Sequence, residues 1–284
     1  MNKILSFDIE DWFHILDNKS TKTEIEWNKY ETRLQYGMDF IFDILENRKL
    51  KATFFCLGWT AEKYPFIISR IHNMGYEVAC HSYNHQLVYE LNPKQFYDDT
   101  RKAKLLLEDI IGTKVKTYRA PGFSIRETEK WAFEILHELG FEIDCSIFPS
   151  KRGHGGFSSF GYGKACRMKY NGSELIELPI NLAKFINLDY VFSGGGYFRF
   201  FPMWLLIKLF SNSEYVMTYF HPRDFDPEQP IINELSQLRK FKSYYGLKNS
   251  RDKLITLLDN FQFTDIAGYL NSLDIKTLPI IDLN

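Results

Sequence analysis

Two histidines stand four residues apart in the stretch EVACHSYNHQLVYEL, residues 77–91, directly behind a run that reads as a buried strand. The chain holds only seven histidines, so a pair at this spacing asks for a chemical reason. On a helical turn, His81 and His85 at i and i+4 share one face, and both imidazoles can reach a single cation about 2.0–2.1 Å from each nitrogen. Two imidazoles do not complete a metal site. A carboxylate or a third histidine has to come from elsewhere in the chain.

Other strand ends carry matching residues. The first candidate strand ends in SFDIEDWFH, with Asp8, Glu10 and Asp11 inside four positions. Three acids this close repel one another, and a cation would relieve the repulsion and hold some of them ionised. The fourth strand ends in YRAPGF, where Arg119 can pair with one of those carboxylates. The fifth carries Asp144 in EIDCS, and the seventh ends in YFHPRDFD, with His221 at its rim.

The elements that must position these residues alternate regularly. Apolar runs predict strands at 3–8, 52–57, 76–80, 115–119, 141–146, 174–179 and 215–221. Helical periodicity predicts helices near 31–48, 61–73, 92–111, 126–139, 203–211, 231–244 and 250–260. Asn92 followed by Pro93 reads as a cap with proline at the first helical position, and Gly75, Gly112 and Gly140 fall where left-handed caps close helices. Strand and helix in this order predict an α/β fold: a parallel sheet with right-handed crossovers, closed or nearly closed into a barrel, with an open doubly wound sheet as the alternative. In parallel barrels the chemistry collects at the C-terminal ends of the strands, where the residues above fall.

No repeat, low-complexity tract or linker divides the chain, so a single domain over 1–284 is expected. The Gly-, Ser- and Tyr-rich stretch 151–172 and the triple-glycine stretch 192–200 are expected to be loop insertions, and C-terminal helices to fill 231–270. At 45% hydrophobic and 25% charged residues the chain can bury a full core without staples. The four cysteines lack any C-x-x-C pair and are expected to be buried free thiols. A net charge of −1 offers no basic surface for nucleic acid. No stretch runs apolar for about 18 residues, so no membrane span is expected. The start, MNKILSFDIEDWF, reads as neither signal peptide nor anchor, which points to the cytoplasm, with lipid-linked substrates at the inner membrane face left open. His72, His137 and His154 read as structural or exposed; His14 does too, with a substrate contact left open.

With these residues assembled, the chain resembles the polysaccharide deacetylases, carbohydrate esterases with a NodB-homology domain, from Ile4 to about Pro230. SFDIED looks like the family's first motif, an aspartate base followed by an acidic metal ligand. HSYNH matches its H-S/T-x-x-H metal motif in full. RAPGF is similar to its R-x-P-aromatic motif, and YFHP to its last, histidine-bearing one. Many members have two adjacent aspartates where Ile9 follows Asp8 here, so the ligand acid is either Glu10 or Asp11. HSYNHQLVYEL, GGGYFRFFP and FHPRDFDPEQP together look like a subgroup associated with exopolysaccharide and O-antigen biosynthesis.

The resemblance implies a distorted (β/α)7 TIM-like barrel that removes acetyl from an N-acetylated sugar. It implies a divalent metal, zinc first, with cobalt and nickel compatible, held by His81, His85 and Glu10 or Asp11. Asp8 would act as base with Arg119 beside it, His221 would protonate the leaving amine, and Asp144 would orient or charge His221. A backbone N–H near Gly122 or Phe123 would help hold the oxyanion. Trp12, Phe123, Gly122 and Tyr197 would meet the sugar, whose C–H faces suit aromatic rings; Trp59 and Phe198 lie near the same strand ends. Two other readings compete. A small amide hydrolase of the same fold, allantoinase-like, is disfavoured by the intact histidine pair, and an inactive sugar-binding protein by the presence of Asp8, Arg119 and His221.

Overall fold

The computed structural model describes residues 3–16, 18–151, 155–185 and 188–284. The apolar opening run forms strands β1 (Lys3–Ile4) and β2 (Ser6–Ile9), and every residue from Ile4 to Ile9 is buried. Such continuous burial marks a parallel strand covered on both faces. β3 (Thr53–Cys56), β4 (Glu77–Cys80), β5 (Thr117–Tyr118) and β6 (Ile143–Asp144) follow in order beside β2, all parallel. β7 (Cys166–Tyr170) and β8 (Ser173–Glu177) form an antiparallel hairpin whose second strand continues the parallel run next to β6.

On the other side of β2, β11 (Val216–Met217) pairs with β1, and Phe220 bridges Phe7. The ring is finished partly by side chains: Asn181 Oδ1 accepts from the Met217 N–H at 2.9 Å, and Tyr215 Oη donates to the Pro179 carbonyl at 2.8 Å. The architecture is the expected distorted (β/α)7 barrel. Alternation along the strands divides its core. Phe54, Cys56, Val78 and Cys80 pack beneath the helices, whereas Phe55, Ala79, Cys145, Leu178 and Met217 form a second cluster filling the barrel.

Helices cover the outside. Following the short α1 (Glu24–Trp27), α2 (Leu34–Arg48) buries Leu34, Met38, Ile41, Phe42 and Leu45, the one-sided stripe of a 3.6-residue period. α3 (Gly58–Lys63) and α4 (Pro65–Asn73) replace the one helix expected over 61–73, because Pro65 brings no N–H and starts a new helix. α5 (Pro93–Ile111) opens on the Asn92–Gln95 capping box and closes at left-handed Gly112, as its punctuation predicts. α6 (Trp131–Glu138) follows a 3₁₀ turn at Glu127–Glu129.

The stretches expected as loop insertions are more ordered than that. Residues 151–172 include strand β7, whose hairpin turns through Asn171 and Gly172, both left-handed, and β12 (Ile280–Asp282) lies parallel beside it. Asn-Gly between alternating residues is the strongest local hairpin signal, and YNGSEL carries it. Antiparallel β9 (Ala183–Phe185) and β10 (Leu188–Tyr190) precede the triple-glycine stretch, which is largely the helix α7 (Gly195–Phe200). After α8 (Met203–Asn212), the C-terminal region holds α9 (Gln237–Tyr244), α10 (Ser250–Asn260) and α11 (Ile266–Asn271), with α9 starting well inside its predicted range. All four cysteines are free and buried. His154 lies outside the described residues.

The packing of α2 matters for the site. A Cβ on Gly37 would sit 2.3 Å from the Pro222 carbonyl oxygen, so the helix lies directly against the turn that begins at His221. Gly37→Ala should therefore destabilise the protein by about 1–3 kcal/mol through overpacking, despite alanine's helix-propensity gain of about 1 kcal/mol. Urea unfolding measures it; a gain in stability would contradict the close approach.

Candidate metal centre and active site

Asp8 and Glu10 both line a cavity of about 480 Å³ at the C-terminal end of β2, while Ile9 between them packs into the core. Two-residue spacing places them on one side of an extended chain. Glu10 Oε1 lies 2.9 Å from His85 Nε2 and 3.1 Å from His81 Nε2, and the three candidate ligand atoms fall within 4.8 Å of one another.

The back of the His81 ring decides what its front can do. Its Nδ1–H donates to the Arg119 carbonyl at 2.7 Å, so in the neutral ring Nε2 presents a lone pair to the Glu10 oxygen. Two acceptors at that distance repel unless a proton or a cation lies between them. Burial alone would raise the Glu10 pKa, but the positive charges of His85 and His221, and hydrogen bonds from His81 and His85 where their Nε2 atoms carry protons, hold it well below the usual carboxylate range. An ionised carboxylate facing two imidazole nitrogens is a donor set suited to a divalent cation, and the residues fit one.

HSYNH does not form the helical turn its spacing suggests. Ser82 and His85 are both left-handed, at φ 63° and 53°, and the chain doubles back so that the rings converge with centroids 5.5 Å apart. Such backbone costs of order 1–3 kcal/mol per residue and persists only where the surroundings enforce it. Here the His85 N–H donates to Ser82 Oγ at 3.2 Å, and Asp99 accepts from the N–H groups of Tyr83 and Asn84 at 2.7 and 3.0 Å.

Asp11 points elsewhere. Its carboxylate accepts from Thr32 Oγ1 at 2.5 Å, from the Trp12 N–H at 2.8 Å and from the Arg33 N–H at 3.2 Å, pinning the loop ahead of α2. Of the two acids left open by sequence, Glu10 meets the histidines and Asp11 does not. The Asp11 N–H donates to His14 Nδ1 at 3.0 Å. Burial first, then the His85 charge, pushes the His14 pKa well below its ordinary value, so this ring is neutral at the cavity wall.

Arg119 is fully buried. Its Nη1 donates to Asp8 Oδ1 at 2.5 Å and its Nη2 to Ser6 Oγ at 3.0 Å, with the guanidinium 3.8 Å over the Phe55 ring. Across the cavity, His221 Nε2 lies 3.9 Å from Asp8 Oδ2 and 3.8 Å from Glu10 Oε1. Its Nδ1–H donates to Asp224 Oδ2 at 3.0 Å, and Arg199 Nε pairs with the other Asp224 oxygen at 3.2 Å. Burial disfavours the charged imidazole, yet Glu10, Asp224 and Asp8 outweigh it and raise the His221 pKa to about 9. A folded value above the usual ~6.5 stabilises the metal-free fold fully below that pH, and the contribution is lost as pH rises through about 9. A cation on Glu10 would cancel that pull and lower the value.

Asp144 does not reach His221. It is fully buried, accepts from Ser146 Oγ at 2.6 Å and from the Ser146 N–H at 3.1 Å, and Ser146 Oγ in turn accepts from the Ala120 N–H at 2.8 Å. Burial raises its pKa and, more strongly, that of neighbouring Glu177. Asp144 thus braces the segment after Arg119, and the residue orienting His221 is Asp224. Sequence reasoning passed over Asp224, although His-Pro-x-Asp has capping-box spacing behind a proline. Tyr219, two residues before His221 on the same strand line, also reaches the cavity without having been singled out, as do Arg199 and Arg223.

The sugar-facing expectations divide. Gly122, Phe123 and Tyr197 line the cavity, with Gly122 and Phe123 left-handed at φ 61° and 53°. The Phe123 N–H donates to the Ala120 carbonyl within that turn, which leaves the Gly122 N–H as the oxyanion candidate. Trp12 is instead part of an aromatic cluster with Phe13, Trp27 and Trp59, its Nε1–H donating to the Glu31 carbonyl at 3.0 Å. Trp59 belongs to that cluster, and Phe198 is buried in the core. In the metal-free protein, Asp224→Asn should move the His221 titration down from about 9 toward its ordinary value, as read by NMR; an unchanged titration would remove Asp224 as its partner.

Residues 35–143 match the family described as polysaccharide deacetylase, and residues 145–271 match a domain of unknown function, DUF3473. A peptidoglycan-N-acetylglucosamine deacetylase of Bacillus cereus is 35% identical over 116 residues, covering 38% of this chain and 42% of the relative. A bifunctional xylanase/deacetylase of Pseudobutyrivibrio xylanivorans is 33% identical over 89 residues, 31% of this chain and 15% of that protein. The chain thus spans less than half the length of either relative. Among solved structures, one from Mycobacterium smegmatis assigned as a polysaccharide deacetylase superposes with a TM-score of 0.65 at 18% identity, covering 98% of this chain and 91% of its own. A peptidoglycan N-acetylglucosamine deacetylase, in complex with an N-hydroxybenzamide, gives a TM-score of 0.50 at 18% identity, with coverage of 94% and 87%. The sequence likeness to polysaccharide deacetylases thus covers residues 35–143, and the fold is shared with the Mycobacterium smegmatis structure over nearly the whole chain.

Proposed function

We propose that the protein is a divalent-metal-dependent N-deacetylase that hydrolyses the acetamido group of an N-acetylated amino sugar, whether in a saccharide or on a nucleotide or lipid carrier. The observation that carries this reading is the Glu10–His81–His85 cluster, flanked by a carboxylate tied to Arg119 and a histidine tied to Asp224. His81, His85 and Glu10 would hold the ion, zinc first among N/O-compatible metals. A bound divalent cation supplies Lewis acidity, lowering the pKa of a water and polarising an amide carbonyl.

Asp8 takes the proton from the attacking water. Arg119 occupies Oδ1, which leaves Oδ2 turned toward the cavity and His221. His221 carries its mobile proton on Nε2, because Nδ1–H is engaged by Asp224, and gives that proton to the departing nitrogen. Gly122 lines the cavity, and its N–H would be the backbone donor to an oxyanion. The acetyl carbon–nitrogen bond breaks, and the products are acetate and a free amine. The two matched segments act together in this reading: His81, His85 and Arg119 lie in the first, His221 and Asp224 in the second. We read residues 1–284 as one domain on the same ground. A role in surface-polysaccharide assembly rests on the resemblance of HSYNHQLVYEL, GGGYFRFFP and FHPRDFDPEQP noted above.

The test combines metal content and turnover. Plasma mass spectrometry should find about one equivalent of transition metal in the wild type and none in a folded His81→Ala/His85→Ala variant. Glu10→Gln should weaken retention, and Asp11→Asn should keep the metal while lowering stability. Asp8→Asn should keep metal but lose at least about 10²-fold in acetate release from N-acetylated oligosaccharides. No metal in either protein after incubation with zinc would overturn the reading, and unchanged turnover in Asp8→Asn would remove Asp8 as base.

A further inference from the structure

α9 is amphipathic, but its apolar stripe faces the wrong way for a core. Leu238, Phe241 and Tyr245, spaced i, i+3 and i+7 along the helix and its cap, are 64%, 48% and 48% exposed, and α9 buries no residue at all. Its opposite side is held to the body by Tyr244, which packs on the Trp12–Trp59 cluster, and by polar contacts. Arg199 Nη1 donates to the carbonyls of Ser243 and Tyr245 at 2.8 and 3.2 Å, Arg199 Nη2 donates to that of Lys242 at 3.2 Å, and Arg239 Nη2 donates to that of Leu16 at 2.7 Å. The stripe continues onto α7, where exposed Phe200 meets Phe241 and Tyr245 with ring centroids 6.4 and 5.8 Å away. Tyr197, half exposed, extends it to the cavity. A contiguous exposed apolar surface of this kind marks an interaction site.

Along the chain the charge of these two segments is one-sided, with acids only at their borders, Glu214, Glu234 and Asp252, and Arg199 answered by buried Asp224. Between Leu235 and Arg251 the chain has five basic residues and no acid, and between Val191 and Ser213 it has Arg199 and Lys208 and again no acid, within a protein of net charge −1. Lys242 and Lys248 are exposed, and Lys240 is partly so. We propose that the α7–α9 face docks on an anionic phospholipid bilayer. Aromatic and aliphatic side chains beside lysines are the pattern of an interfacial helix: rings and Leu238 enter the headgroup boundary while the ammonium groups meet lipid phosphates. Exposed Leu238 offers nothing to the stacking of a sugar ring, which aromatic faces serve. Leu238, Phe241, Lys242, Tyr245, Phe200 and Tyr197 all line the cavity mouth. On the deacetylase reading, docking presents that mouth to saccharides carried on lipid.

Flotation of the full chain with vesicles tests this. It should rise with phosphatidylcholine/phosphatidylglycerol vesicles and not with phosphatidylcholine alone, and the binding should weaken with salt. Leu238→Ser/Phe241→Ser and Lys240→Glu/Lys248→Glu should each reduce binding at least about tenfold. Acetate release from a soluble N-acetylated oligosaccharide is followed in parallel. Release without vesicle binding overturns the docking alone; vesicle binding without release keeps the docking and removes only deacetylation of soluble saccharides. Binding unchanged in both variants, or dimerisation or glycan-polymer retention lost in Leu238→Ser/Phe241→Ser without vesicle binding, assigns the face to another occupant and sinks the proposal.

Discussion

A guanidinium with no exposed surface sits beneath the cavity floor, and the arrangement of the site depends on it. Arg119 ties three strand ends through one residue: its side chain holds Asp8 and Ser6 of β2, its N–H donates to the Cys80 carbonyl of β4 at 3.0 Å, and its own carbonyl fixes the His81 ring. Charge and geometry are thereby linked. Burying an arginine is costly unless a carboxylate answers it, and removing one partner of such a pair typically costs about 3–5 kcal/mol. Asp8 is the answering carboxylate, so the group proposed above as base is also required by the fold. The two oxygens divide the work: Oδ1 answers the arginine, and Oδ2 is the one turned toward His221.

Five acids near the cavity show how little residue type alone determines. Asp8 is held by a cation, Glu10 by imidazoles and Asp224 by His221 and Arg199, whereas Asp11 and Asp144 are surrounded by hydroxyl and backbone N–H donors. The surroundings separate their roles. Glu10 stays ionised because positive groups outweigh its burial, and Asp11 and Asp144 are raised because burial outweighs their neutral donors. A carboxylate among hydroxyls and amides braces a loop; one among imidazoles is prepared for a cation.

Strand ends were legible in the sequence because a buried parallel strand is a short apolar run and its last residue is followed at once by polar chemistry. Asp8, His81, Arg119 and His221 were found that way. The error over HSYNH came from reading a four-residue spacing as helical, when left-handed Ser82 and His85 bring the rings together by another route. The choice between Glu10 and Asp11 depended on Thr32 and Arg33, some twenty residues away, whose loop claims Asp11. The Asp144 role failed for a related reason: Ser146 and Glu177 are nearer than His221, and spacing carries no information about neighbours across a barrel. The hairpin at Asn171–Gly172 was readable and was hidden by the glycine and serine around it. The helix at Gly195–Phe200 was not, because consecutive glycines normally break helices; here Gly194, whose Cβ would meet the Tyr219 carbonyl at 2.1 Å, is needed for close approach to the strand line carrying His221.

That close approach places His221 between two supports from opposite sides. Behind it, α2 reaches the Pro222 carbonyl through Gly37, where a methyl group has no room. In front, Asp224 is shared between His221 and Arg199, and the same Arg199 guanidinium holds the carbonyls at the C-terminal end of α9. The exposed helix and the imidazole are therefore joined through a buried ion pair, with Arg223 over the Tyr244 ring as a second link. The guanidinium hydrogen-bonds the α9 carbonyls at one end and faces Asp224 as a buried ion pair at the other, so displacement of α9 would shift the charge beside the carboxylate that sets the His221 tautomer. The helix at the cavity mouth and the histidine inside it are thus coupled across a turn, although the sequence shows them only as a separate strand end and helix.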